Sequence, residues 1–299
     1  VLLDNNTIGL GRKKDCQNRS VVTTPTEIVK YMVEKTLSRV CAGKTPIEIL
    51  DIRVADIACG SGIFLEEAFA FLQDYCVQWY ISHGQTEHLV EIGVDLYKLS
   101  LQEKKEILCS CIYGIDIDIH AVEVAKFSLL LKLIEDETAP SVAEVVPILP
   151  NLGSNIHFGN SLVSQSELAG ISGAARQMMD IVPFEWNEIN DGNGFDAIIG
   201  NPPYVNTEGM HALLPSAEVE VYKKKYKTSH KQFDKYFIFI EQALNKIKEK
   251  VNLLGLQKSV LFLGQRGDIN ELYQAMDIFL LPSLYEGFGM VTVEAQSSN

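Results

Sequence analysis

The segment Asn201-Pro202-Pro203-Tyr204 combines residue types that could hold a flat ring carrying an amino group. It follows the apolar run Phe195–Gly200, which predicts a buried strand. Proline has no backbone N–H and a fixed φ, so the chain must leave the sheet rigidly at this point. One carboxamide, one proline carbonyl and one aromatic ring are then held close together. Such a set is suited to bind a planar ring through its exocyclic amino group.

The elements that must position this segment follow an alternating order. Thr24 is the expected N-cap, and Pro25 the first residue, of a helix that runs to about Val40. The stretch 64–108 is predicted to be mostly helical, and further helices are predicted over about 119–135 and 233–249. The pattern predicts an α/β fold with a doubly wound, mainly parallel, Rossmann-like sheet, in which ligands bind at the carboxyl ends of the strands. The predicted strands are Arg53–Ala58, Cys111–Asp116, Ile156–Phe158 and Phe195–Gly200.

Three further segments stand at these strand ends. The turn from Asp56 to Gly62 contains a Gly-x-Gly pair, which lets a backbone approach a ligand closely or simply joins a strand to a helix. It lacks the Gly-Lys-Ser/Thr of a phosphate-binding loop, so we do not expect it to bind a nucleoside triphosphate. Asp116 could accept both hydroxyls of a ribose, whereas Asp118 is expected to cap the next helix. Asn160 could meet an adenine edge or stabilise a turn.

Composition and charge bound the choice of function. The chain has 299 residues and a net charge of −13, which opposes nucleic-acid binding unless the basic residues are concentrated. One basic cluster, Lys223–Lys231, follows the Asn201–Tyr204 segment and is either a solvated surface or a phosphate contact. The six cysteines have no metal-ligand spacing, so we predict no metal site and reduced thiols in the cytoplasm. No membrane segment or signal peptide is expected.

Taken in order, these motifs resemble the S-adenosylmethionine-dependent, amino-group DNA methyltransferases. Within that group the chain is similar to the adenine-specific branch of type II and type IIG restriction–modification enzymes. The resemblance covers residues of about 20–250, and the Thr-Pro helix before the glycine loop matches the gamma arrangement of motifs. It rests on the segments VVTTPTEIVKYMV, DIACGSGIFL, YGIDIDIHAVEVAKFSLLL, FGNSL, FDAIIGNPPYV and KQFDKYFIFIEQAL.

The resemblance implies a role for each matched position. The methionine part of S-adenosylmethionine would be held by Thr24, Pro25, Asp56, Ala58, Gly60 and Gly62. Asp116 would bind the ribose of the cofactor, and Asn160 its adenine. Asn201, Pro202, Pro203 and Tyr204 would grip a flipped adenine and allow direct methyl transfer to its amino group. The implied partner is double-stranded DNA, and the resemblance also allows a separate specificity or nuclease subunit.

Two positions depart from the pattern of these methyltransferases. Ile57 stands where proline is usual, and Asn160 stands where many members have aspartate. The first change affects only packing. The second preserves an oxygen acceptor, because a carboxamide oxygen can accept a hydrogen bond as a carboxylate does.

Beyond residue 250 the sequence changes character. We divide the chain into an arm (1–20), the methyltransferase domain (21–250) and a tail (251–299) that resembles the carboxyl-terminal half of a family-4-type retaining glycosyltransferase. The tail carries the Glu286 and Glu294 pair, which in that family contacts a nucleotide-sugar. It lacks an acceptor-binding half and the upstream basic residues for a diphosphate, so we expect a fused fragment and not a working sugar transferase. Strands at Ser259–Leu263 and Asp277–Leu281 and a helix at Ile269–Ala275 are predicted.

Three alternatives to an active DNA methyltransferase remain open. A protein-glutamine methyltransferase would use the same Asn-Pro-Pro-Tyr segment to grip a carboxamide. The long insertion between the glycine loop and Asp116, and the Thr-Pro helix, argue against it. The other two alternatives are a fragment that binds the cofactor without catalysis and a sugar-transfer protein. Binding of the cofactor would exclude the sugar-transfer protein. Methyl transfer to DNA would exclude the inactive fragment.

Overall fold

The structure, a computed structural model, describes residues 24–253 except for 139–140, 143–144, 170, 172, 174–175, 177–180, 190–191 and 230–232. The predicted arm (1–20), the tail from residue 254 with its predicted strands and helix, and part of the basic cluster lie outside the described residues.

A four-stranded parallel sheet forms the centre of the fold, as predicted. Its spatial order is β5-β4-β1-β6, so the strand order reverses between β1 and β6. In register, Val54 pairs with Ile112 on one side and with Ala197 on the other. The carboxyl ends of β1 and β6 therefore flank a topological switch point, where ligands bind in sheets of this kind. The strands are β1 (Val54–Asp56), β4 (Ile112–Asp116), β5 (Ile156–Phe158) and β6 (Ala197–Ile198), while β2 (Val90–Gly93) and β3 (Leu96–Lys98) form a separate antiparallel pair.

Helices cover both faces of the sheet. On β1, Val54 belongs to one apolar cluster and its neighbour Ala55 to another, because successive residues of a strand face opposite sides. The first cluster packs under α1, whose buried residues recur every fourth position. The described helices are α1 (Thr26–Cys41), α2 (Pro46–Ile49), α3 (Ile63–Ser82), α4 (Leu101–Cys111), α5 (Ile119–Ile134), α6 (Gln165–Leu168), α7 (Thr207–Leu213), α8 (Ser216–Lys225) and α9 (Lys235–Leu253).

The β2–β3 hairpin, which was not predicted, interrupts the stretch 64–108, which is otherwise mostly helical as expected. The two strands pair antiparallel around a turn in which Asp95 has φ 54°. Most of their apolar residues are exposed, so the hairpin shows the alternation of a strand without the burial that usually marks one. The helices on either side, α3 and α4, are present as expected.

The five cysteines of the described part carry free thiols. No helix among the described residues is both long and apolar enough to cross a membrane.

Candidate active site

The glycine loop follows β1 and turns through two left-handed residues, Gly60 at φ 54° and Gly62 at φ 94°. A Cβ on Gly62 would lie 2.9 Å from the Cβ of Ala125, so this glycine allows α5 to pack against the loop. At Gly60 no atom of the described residues lies within 4 Å of the position that a Cβ would take. The backbone at Gly60 is therefore open to a ligand, which fits the proposed cofactor contact.

Asp116, at the end of β4, is joined to this loop. Its Oδ2 accepts a hydrogen bond from the Gly60 amide at 2.8 Å, and its Oδ1 accepts one from the Asp118 amide at 2.8 Å. Asp118 in turn accepts from the His120 amide and caps α5, which confirms the expectation for that residue. The Asp116 carboxylate thus holds the glycine loop and the start of α5 to the end of β4.

Asp56, the last residue of β1, is buried against the exit of β6. A Cβ added to Gly200 would lie 2.3 Å from the Oδ1 of Asp56, so only glycine fits at position 200. The Ala58 amide donates to the same oxygen at 3.0 Å. Burial raises the pKa of the Asp56 carboxyl to about 7, the Ala58 hydrogen bond lowers it, and the nearby Asp116 charge raises it further. The carboxyl is thus poised between its two protonation states near neutral pH.

Asn201 lies directly beyond this contact. Its Nδ2 donates a hydrogen bond to the Thr24 hydroxyl oxygen over 3.0 Å. Thr24 is therefore not the N-cap that the sequence suggested. The cap position belongs to Pro25, whose carbonyl accepts from the amides of Ile28 and Val29, and the Thr24 side chain is occupied by Asn201. The two residues meet because α1 packs against β6, so the residue before that helix lies near the exit of the strand.

The rest of the segment is held in place by the start of α9. Asp234 Oδ1 accepts from the Val205 amide at 2.9 Å, and the Lys235 amide donates to the Val205 carbonyl at 2.8 Å. Tyr204 is partly exposed, and its ring lies 5.3 Å from that of Tyr236. Pro202 and Pro203 are half-buried. An aromatic ring is thus presented to solvent on a support fixed by hydrogen bonds.

Asn160 follows β5 and is buried. Its Oδ1 accepts from the Leu162 amide at 3.0 Å, a turn contact that is one of the two roles the sequence allowed for this residue. Its Nδ2 donates to the Tyr222 hydroxyl oxygen at 3.1 Å. The neighbouring Ser161 donates to the Ile57 carbonyl at 2.7 Å and so links this turn to the end of β1.

No role was predicted from the sequence for three residues of this network: Ser161, Tyr222 and Glu218. Tyr222 lies in α8 and donates to Glu218 Oε1 at 2.6 Å. The Glu-x-x-x-Tyr spacing places the two residues on one face of a helix, which is the sole signal that could have paired them. Contact with Asn160, which is 62 residues away, could not be read from that spacing.

The basic cluster is partly neutralised. Lys223 pairs with Glu220 at 3.0 Å, and Lys225 pairs with Glu167 at 3.0 Å. Both lysines lie in the last turn of α8, where positive charge favours the helix. A solvated helix end therefore explains part of this cluster without any contact to nucleic acid.

Comparison with known proteins identifies a family for the chain. Residues 110–270 match the model of the family described as "Eco57I restriction-modification methylase". The chain is 46% identical over 237 residues to the type II restriction enzyme and methyltransferase RM.Eco57I of Escherichia coli. This match covers 79% of the chain and 23% of RM.Eco57I. It is 38% identical over 116 residues to a putative type II restriction enzyme and methyltransferase, RM.MjaORFECS2P, of Methanocaldococcus jannaschii, covering 39% of this chain and 9% of that protein. The chain thus spans a quarter or less of the length of these two relatives.

A different protein matches a shorter stretch. Over 57 residues the chain is 46% identical to the mannosylfructose-phosphate synthase of Agrobacterium fabrum, covering 18% of this chain and 13% of that protein. Over 52 residues it is 48% identical to a putative glycosyltransferase, EpsF, of Bacillus subtilis, covering 17% of this chain and 14% of that protein, which supports the glycosyltransferase-like segment in part.

Proposed function

The chain belongs to the Eco57I restriction-modification methylase family, and on this premise we propose that it is the methyl-transfer module of an adenine-specific DNA methyltransferase. The observation that supports this most is the Asn201–Thr24 hydrogen bond at the switch point of the sheet. Because the Asn201 Nδ2 donates to Thr24, the Asn201 Oδ1 is the atom that can accept a hydrogen bond from a substrate. An exocyclic amino group is such a donor.

S-adenosylmethionine is the cofactor that fits the residues at the strand ends. Asp116, which stands at the end of β4 beside the glycine loop, would bind the ribose, and Gly60 leaves its backbone open to close approach. Thr24, Pro25, Asp56, Ala58 and Gly62 would complete the wall around the methionine part, and Asn160 would meet the adenine. When bound, this cofactor supplies a methyl group on a positively charged sulfur.

The chain's own residues would then act on the target base. Asn201 Oδ1 and the Pro202 carbonyl each accept one N–H of the adenine amino group, whose lone pair is otherwise delocalised into the ring. Two acceptors orient that lone pair and stabilise the positive charge that develops on the nitrogen. Pro203 keeps the exit rigid, and Tyr204 stacks on the base. Positioning both reactants in one pocket contributes much of the rate.

Double-stranded DNA is the proposed substrate. A base in a duplex must be rotated out of the stack before its amino group can reach Asn201, at a cost of roughly a few kcal/mol. Lys224 and Lys227, which form no ion pair within the described residues, are the proposed phosphate contacts. The relatives include restriction enzymes much longer than this chain, so further DNA contacts are proposed to come from segments or subunits outside it.

The test uses the full 299-residue chain with tritiated S-adenosylmethionine and adenine-containing duplex DNA. We expect cofactor binding by calorimetry and label recovered as N6-methyladenine after digestion and mass spectrometry. Asn201→Ala is expected to abolish transfer while cofactor affinity stays within about twofold. Normal turnover by Asn201→Ala, or label on a glutamine of the protein fraction, would overturn the assignment. Cofactor binding without any transfer would favour the catalytically idle fragment instead.

A further inference from the structure

Asn160 is the end of a buried chain of side-chain hydrogen bonds. Tyr222 O–H donates to Glu218 Oε1 at 2.6 Å, and the Tyr222 oxygen accepts from Asn160 Nδ2 at 3.1 Å. All three residues are buried, at 3%, 0% and 4% relative exposure for Glu218, Tyr222 and Asn160. A buried network of this kind stabilises one arrangement of its members because each lost partner leaves an unsatisfied polar group.

The direction of these hydrogen bonds is set by Glu218. A phenol has one proton, and Tyr222 gives it to the carboxylate. The group on the other side of the Tyr222 oxygen must then be a donor, which a carboxamide nitrogen is and a carboxylate is not. Burial raises the pKa of Glu218, and the positive Lys235 and the Tyr222 hydrogen bond lower it. The Lys235 Nζ lies 5.5 Å from the centre of the Tyr222 ring, and burial lowers the pKa of this lysine.

This arrangement explains why asparagine stands at position 160. With aspartate there, two carboxylates would flank a single phenolic proton. The carboxamide avoids this, and the Leu162 amide holds its oxygen from the other side. One N–H and one lone pair of the Asn160 side chain then remain for a ligand.

We propose that Tyr222, held by Glu218, is a positioning residue that locks the Asn160 carboxamide in the orientation that recognises the adenine of the cofactor. This inference rests on the proposed function, in which Asn160 meets that ring. The edge of adenine presents an amino donor beside a ring-nitrogen acceptor, and a locked carboxamide can match both. Hypoxanthine presents the opposite order, a carbonyl acceptor beside an N–H donor, which only a carboxamide free to turn over would match.

The test compares two ligands, S-adenosylhomocysteine and S-inosylhomocysteine, by calorimetry on the full chain. The wild-type chain is expected to prefer the adenosyl ligand, and Tyr222→Phe to lower that preference by about tenfold. Asn160→Ala should remove the preference, and adding Tyr222→Phe to it should cause no further loss. A role in folding alone would weaken both ligands equally and leave their ratio unchanged.

Tyr226→Phe is the matched control. Tyr226 is also buried and lies four residues after Tyr222, and its hydroxyl oxygen lies 2.7 Å from the Leu162 carbonyl, to which it donates, and 3.1 Å from Gln242 Oε1, rather than contacting the Asn160 side chain. It should lose stability to a similar degree and keep the ligand preference. If Tyr222→Phe folds poorly, Glu218→Ala leaves the phenol in place but releases its proton, and the same loss of preference is expected.

The outcomes separate the two proposals. A wild-type chain that binds neither ligand overturns the proposed function, and the positioning role with it. A wild-type chain that prefers the adenosyl ligand, together with a Tyr222→Phe variant of unchanged preference, overturns the positioning role alone. The same is true if Tyr226→Phe loses the preference as strongly as Tyr222→Phe.

Discussion

The Asn201 side chain donates from Nδ2 to the Thr24 hydroxyl over 3.0 Å and joins residues that are 177 positions apart. Thr24 stands immediately before α1, so the start of that helix fixes the carboxamide of the Asn201–Tyr204 segment. Within the described residues the Asn201 Oδ1 accepts no hydrogen bond. The contact therefore acts as an orienting device for the atom that is proposed to accept the target amino group.

Removal of the Thr24 hydroxyl tests this relationship. Thr24→Val keeps the side-chain volume but leaves the Asn201 amide without its acceptor, so the carboxamide can turn. We expect kcat for methyl transfer to fall about tenfold, as for the loss of one hydrogen bond, with a small change in cofactor affinity. Thr24→Ser keeps the hydroxyl and should restore most of the rate. Equal rates for the Val and Ser variants would contradict an orienting role.

Local signals in the sequence predicted much of this architecture. Buried apolar runs followed by Gly, Asp or Asn predicted β1, β4 and β5 together with the loops after them, and the motif order predicted the methylase family that the family model confirms. The β2–β3 hairpin was missed because its apolar residues face outwards, so alternation was its single mark. The partners of Thr24 and Asn160 were missed because they depend on strand order and helix packing, which single-sequence spacing does not encode. Thr24 was predicted to be the N-cap of α1 because its local spacing gives no sign of the distant contact with Asn201.

Gly60 and Gly62 should respond differently to alanine although both have positive φ. Gly62→Ala brings a Cβ within 2.9 Å of Ala125, and we expect a loss of stability of about 1–3 kcal/mol in addition to the backbone strain. Gly60→Ala meets no atom of the described residues, so its cost is the strain alone, roughly 1–2 kcal/mol. Its cofactor affinity should nevertheless fall at least about tenfold, because the new methyl group occupies the open side of the loop.

Gly43→Ala serves as the control for that pair. Gly43 has φ 74°, meets nothing within 4 Å among the described residues, and follows α1 away from the strand ends. It should match Gly60→Ala in urea denaturation and bind the cofactor as the wild type does. Unchanged affinity in Gly60→Ala would show that the glycine loop does not approach the cofactor.

Asp56 should make stability depend on pH. Burial raises the folded-state pKa of the Asp56 carboxyl to about 7, well above that of an exposed aspartate, so the folded state binds the proton more tightly than the unfolded state. The carboxyl therefore has no effect below about pH 4 and lowers the free energy of unfolding progressively as pH rises to about 7. Asp56→Asn removes this dependence. The stability of the variant relative to the wild type should increase by roughly 4 kcal/mol between pH 4 and pH 8, measured by urea denaturation. A pH-independent difference would contradict the buried, proton-binding carboxyl.

Tyr204 should act on DNA and not on the cofactor. Its partly exposed ring stands 5.3 Å from Tyr236, supported by the Asp234 and Lys235 contacts to Val205. Tyr204→Ala removes the stacking surface, and a loss of about 1–3 kcal/mol per stacked base predicts roughly 5- to 150-fold lower kcat/KM for DNA. Tyr204→Phe keeps the ring and should retain most of the activity, because the stacking face and not the hydroxyl makes the contact. Tyr31→Ala, which removes a more exposed tyrosine from α1, is the control and should leave kcat/KM unchanged. If Tyr204→Ala weakened cofactor binding as strongly as DNA methylation, the ring would belong to the cofactor pocket instead of the base pocket.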